Sequence, residues 1–219
     1  MSSIEIPVIK TRDYLTARWD ETLKLVGSTG TPLSVFEEIL TKYQEPWRYY
    51  HTLEHLRSGF EVLDRYLKAK TTGQIELAFW YHDFEYDPKS TDNENKSAQA
   101  ASERVTKVLQ LPLTLAIEVG RLILATKHTT TPSTESAKVL LDMDLSILGE
   151  VPEVFDQYEL NIRREYPEFM VPKEIFRETR REILKQMLRD PFYNTPEMRS
   201  SPYESRVRFN IEGSISKLS

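Results

Sequence analysis

Apolar residues recur at steps of three and four along most of this chain. Leu53, Leu56, Phe60, Leu63 and Leu67 form one such series, with Glu54, Arg57, Glu61, Asp64 and Arg65 gathered on another side, which predicts an amphipathic helix. Helical spacing also covers residues 14–25, closed by Gly27 and Gly30, and residues 33–43. Ile75, Leu77, Ala78, Phe79, Trp80 and Tyr81 leave almost no polar face, so their helix belongs in the core. A polar loop carrying Pro88 follows, and the helical pattern resumes near Asn93. Residues 113–125 predict another largely apolar helix. From Val151 onward the pattern is helical and amphipathic, through residues 154–166, 172–190 and 203–215. The expected fold is all-α and a single domain over residues 1–219. A core bundle at about 33–166 carries helical extensions at both ends, the C-terminal one at about 167–219.

Chemistry enters where polar residues interrupt the apolar pattern. His51 and His55 are four apart and would stand one above the other on a helix, at the margin of its apolar arc beside Val62 and Tyr66. His82 and Asp83 end the most apolar helix, where an unpaired carboxylate is strongly disfavoured and a divalent cation would satisfy both side chains. Asp142 and Asp144 stand inside LDMDLSILG, where the pattern asks for hydrophobes. Three helices thus deliver nitrogen and oxygen donors to the interior. Each feature also has a plainer reading: hydrogen-bonded, half-buried imidazoles for the histidine pair, and a helix cap or a partner of a ligand for Asp142.

The ordered set RYYHTLEHL, LAFWYHDFEYDP, DNENKSA and LDMDLSILG resembles the HD-domain superfamily of metal-dependent phosphohydrolases, in particular its branch of small predicted phosphohydrolases. The resemblance runs from about Trp47 to ESRVRFNIE and implies an HD-domain helical bundle. YHTLEHL matches the spacing of a YHNxxHA segment in the related cyclic-nucleotide phosphodiesterases, with Thr52 where the Asn stands. By that match His51 is the acid that protonates the leaving group and His55 a metal ligand. His82, Asp83 and Asp144 complete the ligand set, Asp144 being preferred to Asp142 because DADRL-like segments of HD proteins use their second acid. The same resemblance implies that Glu94 orients water or supports a ligand, and that His128 contacts substrate phosphate or supports the metal site. For both, interaction with a helix dipole is the plainer reading. Arg48 is a substrate-phosphate candidate or an anchor for the helix start. Arg163, Arg180 and Arg206 are candidates to close over a phosphate.

Mixed imidazole and carboxylate donors suit Mn, Co, Ni, Zn or Fe, and Mg is also compatible with the reaction class. The implied activity is hydrolysis of a phosphomonoester or phosphodiester, with a nucleotide among the candidate substrates. The alternatives are a non-catalytic sensor that binds metal or nucleotide, and an HD-type di-iron oxygenase. The latter's sites look richer in histidine than a chain with four. A net charge of −5 without a long basic run argues against a nucleic-acid surface. There is no cysteine, which removes disulfides and thiolate chemistry. No run of roughly 18 apolar residues and no basic-then-apolar start occurs, so no membrane span is expected and a cytoplasmic protein is. Partners are then a small phosphorylated substrate, with homo-oligomer formation left open.

Overall fold

A computed structural model of the chain describes residues 8–30 and 32–218. Among these the fold is all-α: α1 (Val8–Leu25), α2 (Leu33–Lys42), α3 (Leu53–Val62), α4 (Gly73–Tyr81), α5 (Asn93–Glu103), α6 (Leu113–Ala125), α7 (Glu135–Asp144), α8 (Pro152–Glu165), α9 (Lys173–Met187), α10 (Pro196–Arg199) and α11 (Pro202–Leu218). No described strand occurs. No helix of the described residues is long and apolar enough to cross a membrane.

The helix α4 is the axis of the bundle, since every residue from Ile75 to Tyr81 is buried. Full burial of each large side chain there contributes about 1.5–3 kcal/mol relative to exposure. Its packing sets the geometry of the site. Gly59 on α3 sits where an added Cβ would fall 2.1 Å from the Phe79 ring, so only glycine lets α3 and α4 approach this closely. His55 lies one turn before Gly59, on the same face of α3, and is thereby brought against the end of α4.

The packed core reaches beyond residues 33–166 at both ends. Trp19 of α1 stacks on Phe36 at 6.1 Å and meets Trp80 edge-on at 5.4 Å. Leu184, Met198, Val207 and Ile211 are buried in the same cluster. The α1 helix also brings a charge inside: Arg18 Nε and Nη2 donate to the two Glu76 carboxylate oxygens at 3.1 and 2.7 Å, and Nη1 reaches Asp64 at 2.6 Å. The Thr22 hydroxyl donates to Glu76 at 2.6 Å and accepts from the Trp80 indole at 3.0 Å.

The C-terminal helices are fastened to the loop after α7. Asn210 Nδ2 donates to the carbonyls of Leu148 and Glu150, and Arg206 Nε to that of Gly149 at 2.7 Å. Asp142 accepts from the backbone N–H groups of Asn194 and Thr195 and from both of their side chains, at 2.7–2.9 Å.

Candidate metal centre

The donors identified in the sequence collect where several helices begin or end. His55 lies in the first turn of α3, His82 and Asp83 directly follow α4, Asp144 is the last residue of α7, and His128 follows α6. The C-terminal ends of α4 and α7 carry the partial negative charge of unpaired carbonyls, which favours a cation beside them.

His55, His82 and Asp144 form a group able to hold a metal ion. The two Nε2 atoms are 2.9 Å apart, and each is 3.4 Å from Asp144 Oδ1. Donors bound at 2.0–2.2 Å to one ion stand about 3.0–3.6 Å from each other at angles of 90–110°. Asp83 Oδ2 adjoins the group, 3.0 Å from His82 Nε2 and 3.7 Å from His55 Nε2.

The tautomer of His82 makes the case for a cation. Its Nδ1 lies 2.7 Å from the Phe79 carbonyl, which can only accept, so Nδ1 carries a proton and Nε2 is the nitrogen turned into the cluster, where the neutral ring would present its lone pair to a cation. A carbonyl partner on the outer nitrogen is the usual support of a metal-binding histidine. His55 Nδ1 pairs with the Tyr50 hydroxyl at 3.0 Å, and His128 Nε2 with Asp144 Oδ2 at 3.0 Å, so each of these is also held from behind.

Without an ion, the protein's own groups share a proton instead. Burial pushes His82 down, but Asp83 and Asp144 raise it well above its ordinary value. His55 falls, because burial outweighs its pairing with Asp144 and His82 opposes its charge. Burial pushes Asp83 and Asp144 up, and the surrounding histidines bring both well below the usual carboxylate range.

His51 differs from its expected position. The helix starts only at Leu53, so His51 precedes it and does not share a helical face with His55. The cause is Glu165, at the end of α8. Its Oε1 accepts three successive backbone N–H groups, from Tyr49, Tyr50 and His51, at 2.7, 2.7 and 3.1 Å. Its Oε2 accepts from Tyr86 Oη at 2.8 Å and from His51 Nδ1 at 2.7 Å. Donors satisfied in this way need no helical partners. The pairing fixes the His51 tautomer and turns Nε2 toward Asp83, 3.9 Å away. Burial lowers the His51 pKa, but Glu165 and Asp83 raise it above its ordinary value. Glu165, which burial alone would raise, is held down to about 2 mainly by His51.

The sequence reading missed Glu165. A signal existed, because Phe155, Tyr158, Ile162 and Glu165 form the buried stripe of α8, and an acid inside an apolar stripe demands a partner.

Arg48 is a correction to the expected phosphate contact. Its side chain is fully buried, and it donates to Glu45 and to the carbonyls of His51, Asp83 and Phe84. It ties the two histidine segments together and does not face solvent. Arg163 and Arg206 likewise donate to backbone carbonyls, of Tyr166 and Val171 and of Gly149. Asp142 binds residues 194–195 and is absent from the metal group.

A cleft of about 1060 Å³ opens on the cluster and is lined by His51, Asp83, Glu94, His128 and Asp144. Glu94 stands on its wall 3.9 Å from Lys127 Nζ. Arg180 also lines it, held at 2.5 Å by Glu159 and at 2.7 Å by the Tyr158 hydroxyl. No family model, curated protein or solved structure matches this chain.

Proposed function

We propose that this chain is a metal-dependent phosphohydrolase, in which His55, His82, Asp83 and Asp144 hold one divalent cation and His51 serves as the general acid. The reaction class rests on the resemblance of the ordered motifs to HD-domain phosphohydrolases. The observation that carries the site is His82 Nε2, turned inward by the Phe79 carbonyl on Nδ1 and aimed at His55 and two carboxylates at the foot of an open cleft.

When bound, a divalent ion supplies Lewis acidity toward a phosphoryl oxygen and lowers the pKa of water. The protein's own groups do the rest. Glu165 holds the His51 ring through Nδ1, leaving Nε2 to carry a proton toward a departing alkoxide in the cleft. His128 orients Asp144, as Tyr50 orients His55, and Arg48 locks residues 51 and 83 in register. Glu94, on the cleft wall, is placed to orient water.

The test is a phosphate-release screen over nucleotides and small phosphate esters, with Mn, Co, Ni, Zn, Fe and Mg each added to chelated protein. Release restored by metal is the expected result. Metal uptake with no release from any ester would favour the sensor reading.

A further inference from the structure

The cleft is much larger than a phosphoryl group needs, and its lining combines two chemistries. Pockets of about 300–1,000 Å³ enclose whole drug-sized ligands. Part of the lining of this cleft, of about 1060 Å³, is His51, Asp83, His128 and Asp144 with Glu94 and Lys127. Another part of the lining is a single face of α9. Phe176, Thr179, Arg180, Ile183, Gln186 and Met187 follow one another at steps of three, one, three, three and one, so all six lie on one side of the helix, and all six line the cleft.

Phe176, Ile183 and Met187 are the apolar part of that face: Phe176 and Met187 pack partly against the core, and Ile183 reaches the surface. Ile183 is 41% exposed, and of the helix only Arg180 and Leu184 are buried. Ile162 of α8, Tyr166 and Val171 continue the apolar lining. The cations on the cleft are already engaged: Arg180 is paired with Glu159, Lys127 lies beside Glu94, and Arg189 donates Nε to the Phe192 carbonyl. The Phe192 carbonyl is neutral and leaves the Arg189 charge in place; what the lining offers beyond the cluster is apolar surface, which rewards burial of carbon.

Resting on the phosphohydrolase reading, we infer that the substrate is a monophosphoryl ester with a bulky, mainly apolar leaving group that lies against Phe176, Ile183 and Met187 of α9. A small polyol phosphate would leave this apolar lining unfilled.

The experiment compares ligands whose phosphoryl ends are alike. Hexylphosphonate and ethylphosphonate are titrated calorimetrically into metal-loaded protein, and hydrolysis of hexyl and ethyl phosphate is followed in parallel, their alkoxides being of similar basicity. Four extra methylenes at ~0.8 kcal/mol each set a ceiling near 200-fold, and partial burial predicts roughly tenfold or more in affinity and in kcat/KM. In the double variant Ile183→Gln, Met187→Gln, which changes side chains at the cleft surface, the preference is expected to fall toward one. Equal affinity for the two phosphonates, or a preference unchanged in the double variant, overturns the inference. If no ester is hydrolysed but hexylphosphonate binds preferentially and the variant loses that preference, the phosphohydrolase reading fails while the apolar subsite stands.

Discussion

At Glu76, both carboxylate oxygens receive hydrogen bonds from Arg18, with the Thr22 hydroxyl adding another. Around His55, His82 and Asp144 the donors converge on one point instead: two imidazole nitrogens 2.9 Å apart, each 3.4 Å from the same carboxylate oxygen, held together without an ion by a shared proton. Both clusters are buried in one bundle and share the α4 helix. The first is closed, since Arg18 and Thr22 satisfy both oxygens of a Glu76 that is itself fully buried. The second gathers two carboxylates around imidazoles whose only cation is a titratable proton, and it opens on a cleft. A buried polar group is tolerated only when satisfied, so the difference between the clusters separates a structural device from a binding site.

The comparison predicts opposite consequences of mutation. The largest effect is on metal: Asp83→Ala should lose bound metal and metal-dependent turnover together, while its chelated form keeps nearly the thermal stability of the chelated parent. Full occupancy in that variant, by elemental analysis, removes Asp83 from the ligand set. Next, His51→Ala should retain metal and lose turnover by about 10²–10⁴-fold, the usual worth of a positioned acid. Undiminished turnover would end the acid role and leave the metal site standing. Smallest, Arg18→Met should cost about 3–5 kcal/mol in urea unfolding, because it strands a buried carboxylate, with metal content unchanged. A cost under about 1 kcal/mol would mean that Glu76 finds another partner, and the closed cluster would then not be closed by Arg18.

What was legible in the sequence followed from short-range periodicity. The apolar run of α4, the spacing of α3 and the interruptions at His82, Asp83 and Asp144 are local, and the all-α fold and the histidine–aspartate convergence both descend from them. What escaped depends on contacts distant in the chain. His51 was placed on a helix by its spacing from His55, but Glu165, 114 residues later, gathers the N–H groups that the helix would have used. Arg48 reads as a phosphate contact or a helix-start anchor in the sequence, where nothing nearby shows that three backbone carbonyls surround it. Asp142 and Asp144 could not be separated by pattern alone, being two residues apart in one apolar segment. The helix turns them to different neighbours, Asn194 and Thr195 for one and the histidines for the other. Glu76 was hidden by its apolar neighbours, and α1, expected as an extension, supplies its counter-ion.

The most direct test of the central claim is elemental analysis of the purified protein, repeated after chelation and after return of Mn, Co, Ni, Zn, Fe and Mg. The account predicts close to one divalent ion per chain, removed by chelator and restored by at least one of these metals. Protein that takes up none of them, with His55, His82, Asp83 and Asp144 intact, would contradict it.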